Sequence, residues 1–455
     1  MKKTLLLTLL AGLVSASSVK ATELFITGST AFRANVHDAC LKMFQPGGTP
    51  TFNEIDDTNS ICGDGNSTGN GAQCWVMSGQ PTNALTKVTD TLVIHAAFTG
   101  SLQGSYAVAN SDTTIKWLTT NNTVITHSPT IAFSDVQTSS SLWATLPANY
   151  AEDTVAIQPF CIMKSKSSGT GLAEMNNITN VTWEQIKGLL NNGFLPLSFW
   201  TGLDTDTNKP IYMVNRTLDS GTRRAIGANM DYSWANGIPV YIYNNGTNAG
   251  KFTWVSYTTS TPGDTNNILT SGGVTNANNF GIWGPGCVGG GDVRSQLALS
   301  DVANTAIGYL SFADAQKSWG LSSGPYWQGL CSFEGTYPTL YPPTASQTND
   351  FTPVIQGQYP YWAEEVVLYP TTDTQLEVPG DQLISQAQLG KKSPTGSTDG
   401  SILALLDHQS GGTNIIPGSL EYEITNATVT TAIPLYKMRV THNNVSSLIT
   451  PGSYH

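Results

Sequence analysis

The chain has 455 residues, enough for two or three folding units at roughly 150 residues each. Charged residues make up 12% of it, against about 25% in a typical globular protein, and the formal net charge is −11. With 44 glycines and a surface left to Thr, Ser and Asn, this excludes a coiled coil, a basic nucleic-acid-binding protein and a charge-rich disordered chain. Any bound anion must be held by a local site acting against the global field.

The N-terminus reads as an export signal. Lys2 and Lys3 precede an apolar stretch from Leu5 to Val14, and small residues offer cleavage after Ala16 or after Ala21. The stretch is shorter than the roughly 20 apolar residues of a membrane span, and no cysteine sits there to take a lipid. A soluble, periplasmic protein is expected. Export makes Cys40, Cys62, Cys74, Cys161, Cys287 and Cys331 disulfide candidates, with 15 full pairings possible. Cys62 and Cys74 bracket a Gly/Asn/Ser loop suited to a local staple. No CxxC spacing points to zinc.

Strand-like runs then alternate with helical ones. Leu24–Thr27 is a strand followed by a Gly28-Ser29-Thr30 turn, and from Ala31 the residues Phe32, Val36, Ala39, Met43 and Phe44 recur at helical spacing. Further β-type runs are Thr91–Phe98, Thr130–Phe133, Thr154–Met163, Ile211–Val214 and Ala306–Phe312. Thr182 and Gln185 form a capping box ahead of a helix, and helices are expected over Arg223–Met230 and Val293–Leu299. The alternation predicts an α/β protein with parallel sheet. Residues 231–290 are a Gly/Asn/Thr-rich excursion, and 371–399 and 409–455 are polar segments with no clear period.

The informative feature is the chemistry at the strand ends. Ser29 and Thr30, Thr99-Gly100-Ser101, Ser134-Asp135 and Asp219-Ser220-Gly221-Thr222 place hydroxyls, a carboxylate and free backbone N–H groups where strands open into helices. Each alone reads as a helix cap, but four together make an anion-type pattern, and Arg216 stands one turn from the last as an oxyanion partner. Two weaker motifs read as loops. Gly284 to Gly289 matches GxGxxG, but Pro285 removes an N–H group. Asp204, Asp206 and Asn208 open like a calcium loop, but Lys209 stands where glycine is needed. No nucleophile elbow or zinc-protease motif occurs.

At these motifs the sequence resembles the periplasmic phosphate-binding proteins of bacterial phosphate ABC transporters. Ile26 to Phe32 looks like the family's first anion loop, Thr99 to Gly104 its second, and Phe133-Ser134-Asp135 its strand-end Ser-Asp. Asn215 to Thr222 is similar to its Arg-Ser-Asp-Gly-Ser-Gly-Thr loop, and Ala306 to Leu310 to its Ala-Ile-Gly-Tyr strand. The matches run in family order from about residue 24 to 315. Two departures stand out: Leu218 occupies the family's acidic position, with Asp219 one place later, and the chain is longer than the family's.

The resemblance implies a two-lobed, type 2 Venus-flytrap α/β fold with mixed, mostly parallel sheets and a hinge. A signal peptide would occupy 1–21, lobe one 22–157 and lobe two 158–361, with 362–455 returning to lobe one and adding a C-terminal extension. It implies a ligand set of Ser29, Thr30, Ala31, Ser101, Asp135, Arg216, Ser220, Gly221 and Thr222, with Asp135 accepting the anion's proton. Cys287–Cys331 is the second disulfide candidate, inside lobe two, which leaves Cys40 and Cys161 as buried thiols or cross-lobe partners. The expected protein is a monomeric receptor, not an enzyme, that captures inorganic phosphate or a related oxyanion for an ABC transporter permease. It needs no cofactor, metal or nucleic acid and no membrane insertion. The alternative is a secreted surface or adhesion-type protein reusing the scaffold without transport. A phosphatase-like hydrolase ranks third, lacking an activated nucleophile in the sequence.

Overall fold

A computed structural model describes residues 21–44, 52–58, 62, 69–81, 90–140, 145–165, 173–217, 219–229, 240–244, 251–255, 270–271, 274–275, 286–300, 305–317, 329–340, 350–370, 432–433, 440–442 and 449–451. The signal segment before Ala21, Leu218 and most of the two polar tail segments lie outside the described residues.

The first half of the chain lays down β1 (Ala21–Gly28), α1 (Arg33–Lys42), β2 (Asn53–Asp56), β3 (Cys74–Gly79), β4 (Thr91–Ala97), α2 (Ser101–Ala109), β5 (Lys116–Leu118), β6 (Val124–Thr126) and β7 (Ile131–Ser134). β1 runs parallel to β4 on one side and β7 on the other, and its last five residues are buried, as expected for a strand covered on both faces. The 15-residue β8 (Tyr150–Lys164) then leaves this region. It leads to β9 (Asn180–Val181), α3 (Trp183–Asn192), β10 (Phe194–Pro196), α4 (Ser198–Thr201), β11 (Pro210–Val214) and α5 (Gly221–Asn229).

Two short hairpins come next, β12 (Val240–Asn244) with β13 (Lys251–Val255) and β14 (Thr270–Ser271) with β15 (Val274–Thr275). The chain continues through α6 (Gly290–Ser300), β16 (Thr305–Ser311), α7 (Phe312–Gln316), β17 (Leu330–Phe333), α8 (Thr352–Ile355) and β18 (Trp362–Pro370), and a last hairpin pairs β19 (Val440–His442) with β20 (Ile449–Pro451).

Twelve strands join one sheet, ordered β10-β11-β16-β8-β18-β7-β1-β4-β3-β2, with β17 on β8 and β9 on β17. Its centre is the antiparallel pair β8 and β18. Tyr150 to Pro159 of β8 pair with β18, whereas Phe160 to Lys164 pair with β16. The two ends of the sheet carry separate cores. One is built on Leu24, Ile26, Phe32, Ile94 and Phe133; the other on Ile162, Ile211, Met213, Ile307 and Leu310. Two cores joined by a crossing strand pair make a two-lobed α/β fold, lobe one holding β1, β4 and β7 and lobe two β11 and β16.

Local signals explain where elements start. Thr182 and Gln185 form the reciprocal capping box of α3, and Gly193 closes that helix in the left-handed conformation with φ 75°. The helix expected from Ala31 begins instead at Arg33, because Ser29 Oγ accepts the Phe32 N–H at 3.1 Å and holds residues 30–32 in a turn. The strand expected through Phe312 stops at Ser311, whose hydroxyl accepts the Asp314 N–H and starts α7. Asp204–Asp206 is a single 3-10 turn closed by Lys209, whose Nζ lies 2.9 Å from Asp206, so it is a turn before Pro210.

Cys62 and Cys74 form a disulfide that staples the Gly-rich loop to β3. The expected Cys287–Cys331 bridge is absent: both are buried free thiols. Cys331 is fixed in β17 opposite Ile162, and Cys287 is bridged to Arg216, so each is committed to its own backbone pairing. Cys40 and Cys161 are also buried thiols.

Candidate functional site

Three strand ends of lobe one are drawn together by backbone. Gly28, at φ 112°, leaves no room for a side chain: a Cβ there would lie 1.9 Å from the Phe133 carbonyl oxygen. That approach lets the Ser29 N–H reach the same oxygen at 2.7 Å, and the Gly100 N–H reaches the Gly28 carbonyl at 2.9 Å. Ser29, Ser101 and Asp135 are thereby gathered at the carboxyl ends of β1, β4 and β7. Ser29 Oγ donates to Asp135 Oδ1 at 2.5 Å, and the Asp135 N–H donates to Ser101 Oγ at 3.2 Å.

Lobe two closes on this corner with the N-terminus of α5. Thr222 Oγ1 donates to Asp135 Oδ2 at 3.3 Å, and the Leu102 N–H donates to the Asp219 carbonyl at 2.9 Å, a backbone bond between lobes. A Cβ on Gly221 would come within 2.5 Å of Ser101 Oγ and 2.7 Å of the Asp135 Cβ. Ala31, Leu102 and Val136 of lobe one pack into the core of lobe two at the same junction. Ser220 is buried and accepts the Arg223 N–H at 3.2 Å, so it caps α5.

Arg216 completes the site. It is 2% exposed, and its guanidinium touches both lobes. Nη2 donates to Thr30 Oγ1 at 3.3 Å across the junction and Nη1 to Thr222 Oγ1 at 3.4 Å. Its brace is made of carbonyls: Nε donates to Cys287 at 3.0 Å and Nη2 to Val288 at 2.6 Å. The sequence left this brace open because Leu218 replaces an acid. The loop that matched GxGxxG supplies it, and Gly286, at φ 143°, is required there because a Cβ would meet the Arg216 backbone at 2.5 Å.

All nine predicted ligand residues are therefore brought to one junction, Ser29, Thr30, Ala31, Ser101 and Asp135 from lobe one and Arg216, Ser220, Gly221 and Thr222 from lobe two. Sequence reasoning missed Cys287, Val288, Tyr361, Glu365 and the Arg33–Asp314 pair, and it named Asp219 in its motif without giving it a place in the ligand set. Tyr361 donates its hydroxyl to the Thr222 carbonyl at 3.1 Å. Asp219 lies against Gly100, and burial, outweighing Thr217, Arg216 and Arg223, pushes its carboxyl up to about 6. Only Cys287 and Val288 had a signal, in their glycine-rich loop.

The arrangement offers hydroxyls, two helix N-termini, one guanidinium and one acceptor carboxylate in a desolvated corner. Such a set has the donors and the acceptor that a tetrahedral oxyanion carrying a proton would need. Among the described residues, two His/Cys/acid groups lie elsewhere in lobe one. In one, Cys62 and Cys74 are disulfide-bonded; in the other, both His37 ring nitrogens already face carboxylates, those of Asp38 and Glu54. Among the described residues no helix is long and apolar enough to cross a membrane.

No family model matches the chain, and no curated protein matches it. Among solved structures it is similar to a phosphate-binding protein from Stenotrophomonas maltophilia, at 14% identity and TM-score 0.41 over 91% of each chain. It is similar to an ABC-type phosphate transport receptor from Vibrio cholerae, at 13% identity and TM-score 0.33, over 78% of this chain and 90% of that one. It is also similar to a human phosphate-binding apolipoprotein, at 12% identity and TM-score 0.37, over 88% and 93%. A likeness this distant does not identify the ligand of this chain.

Proposed function

We propose that this protein is an exported solute receptor that binds monohydrogen phosphate, or an oxyanion of the same shape and protonation, at the junction of its lobes. In this reading residues 22–157 and the return segment within 362–455 serve lobe one, residues 158–361 serve lobe two, and residues 1–21 direct export to the periplasm. The observation that carries the reading is Arg216, a buried guanidinium from lobe two within hydrogen-bonding distance of Thr30 of lobe one and of Thr222, whose hydroxyl donates to the Asp135 carboxylate. Binding by helix N-termini, hydroxyls and a single arginine suits a chain with net charge −11, which would repel anions elsewhere on its surface. The role is capture and release, with delivery to an ABC transporter permease as its purpose.

Calorimetry and thermal shift with phosphate, arsenate, molybdate and sulfate test this. A ligand at 100 times its Kd stabilises by about 2.7 kcal/mol. Arg216→Ala removes one partner of a desolvated charge contact, which typically costs about 2–5 kcal/mol, so phosphate affinity should fall at least about tenfold. Stabilisation by none of the four anions would turn attention to the surface-protein alternative. An adjacent permease and ATPase gene pair would support the transport role.

A further inference from the structure

β18 carries two consecutive glutamates into the strand pair that joins the lobes. Glu364 is partly exposed and accepts from Thr154 Oγ1 at 3.4 Å. Glu365 has no solvent exposure, and among the described residues no donor meets either of its carboxyl oxygens in hydrogen-bond geometry, which leaves an ionised form unsatisfied. An ionised carboxylate is not sustained in such a place without compensation.

Its position is set by register. Val366 pairs with Ser134 of β7, so Glu365 stands level with Asp135. The β8 pairing slips between Glu365 and Val366, from Ala156 to Thr154, and such a bulge re-aims a side chain. The Glu365 carboxyl lies within range of both the Asp135 carboxyl and the Ser29 hydroxyl. Burial first, and then Asp135, hold it well above the ordinary carboxylate range, with Ser29 pulling the other way. Among the described residues, the other titratable groups at this junction are Arg216 from the end of β11, Asp219 ahead of α5 and Tyr361 ahead of β18. Thr222 adds a neutral hydroxyl from α5.

We propose that Glu365 is a neutral carboxylic acid that shares its proton with Asp135, so that the carboxyl pair presents one negative charge to the anion site. The inference rests on the oxyanion reading for its consequence and on the Glu365–Asp135 geometry for its substance. Two carboxyl groups this close in a dry site do not both ionise. With one proton between them, Asp135 stays an acceptor, free to accept a hydrogen bond from the protonated oxygen of the bound anion. When the pair loses that proton to solvent, a second negative charge faces the anion and repels it. Glu365 is a positioning residue: it acts on the anion through Asp135.

The test uses the full-length protein with 13C-labelled Glu and Asp carboxyls, followed by NMR without ligand. The Glu365 signal, assigned by its loss in Glu365→Gln, should remain protonated at pH 7, and its midpoint should fall in Asp135→Asn. Selective Glu labelling with Asp135→Asn alone gives the assignment if Glu365→Gln does not fold. A Glu365 midpoint near that of an ordinary glutamate, about 4.3, overturns the proposal.

Phosphate calorimetry is the second arm. Glu365→Gln should bring no gain in affinity at pH 7, Glu365→Leu should lose at least tenfold, and wild-type affinity should drop below that of Glu365→Gln wherever NMR shows Glu365 losing its proton. A tenfold gain for Glu365→Gln at pH 7 means that an ionised carboxylate was removed, and overturns the proposal. If the wild type binds no phosphate while Glu365 stays protonated, the oxyanion reading fails and the carboxyl pair stands.

Discussion

Arg33 Nη2 lies 3.2 Å from Asp314 Oδ1, a buried ion pair that ties the first helix of lobe one to a short helix of lobe two. The same guanidinium donates to the carbonyls of Thr30 and of Gly71, so it fixes the turn that presents Thr30 to Arg216. Burial alone would raise the Asp314 carboxyl, but Arg33, Lys317 and Arg294 outweigh it and hold it below the usual range. Gly290, at the start of α6, must lack a side chain, since a Cβ would fall 2.2 Å from Asp314 Oδ2.

Asp314→Asn should therefore destabilise the protein by about 3–5 kcal/mol, the usual cost of leaving one member of a buried pair unmatched. Because the folded carboxyl sits below its ordinary 3.8, its contribution is complete above that pH and disappears as pH falls through the lower, folded value. Denaturant unfolding at pH 7 and pH 3 checks both statements. An unchanged midpoint at pH 7 would show that the pair contributes nothing. Small-angle scattering of the variant should show a larger radius of gyration if the pair holds the lobes together.

Much of this junction was legible in the chain, for a definite reason. Ser29, Ser101, Asp135 and Thr222 all come after apolar strands, with Ser101 and Thr222 in the first turn of a helix, and local chemistry reports such positions directly. The brace on Arg216 was legible only as a glycine-rich loop, because Cys287 and Val288 act through backbone carbonyls, which every residue owns. Glu365 was hidden for the opposite reason. Its strand reads as Glu-Glu-Val-Val, and only the pairing with β7, more than 200 residues earlier, shows which glutamate is buried. Cys287 and Cys331 were misjudged as a pair because they share a lobe, whereas bonding needs matched backbone geometry.

Gly221→Ala should keep the lobes from meeting. Its methyl group would need space occupied by Ser101 and the Asp135 Cβ, both on the other lobe, while each lobe keeps its own packing and only the contacts of Ala31, Leu102 and Val136 with the lobe-two core are weakened. The expected outcome is a near-normal unfolding midpoint with phosphate affinity down by at least about tenfold, or 1.4 kcal/mol. Calorimetry beside thermal denaturation separates the two effects. A variant that binds as the wild type does would mean that the lobes need not approach this closely around the ligand.

His37 should make stability fall at alkaline pH. Burial would lower its affinity for a proton, but hydrogen bonds and charge from Asp38 and Glu54 outweigh burial and raise it from 6.5 to about 9. The imidazolium also meets the Trp75 ring edge-on, with centroids 5.4 Å apart. The stabilisation is complete below pH 6.5 and gone above about 9, and at 1.36 kcal/mol per unit it amounts to about 3 kcal/mol at most. Unfolding at pH 6 and pH 9.5 should show that loss in the wild type and not in His37→Gln. Parallel losses in both proteins would assign the effect to other groups.

Asp135 should make the site choose a protonated oxyanion over sulfate. Its two oxygens accept hydroxyls from Ser29 at 2.5 Å and Thr222 at 3.3 Å, and the Thr222 hydroxyl is also reached by Arg216 Nη1 at 3.4 Å. A bare carboxylate against a dianion is a like-charge contact, on the order of 4 kcal/mol per pair of unit charges at 4 Å and an effective dielectric near 20. A proton on the anion converts that repulsion into a charge-assisted hydrogen bond. Monohydrogen phosphate and arsenate carry such a proton at neutral pH, and sulfate does not. The wild type should bind the first two and reject the third, while Asp135→Asn, which offers an amide donor at the same place, should admit sulfate and narrow the difference at least tenfold. Competition calorimetry with the three anions reads this directly. Equal binding of sulfate and phosphate by the unmutated protein would remove Asp135 as the source of selectivity and leave it as a bridge between the lobes.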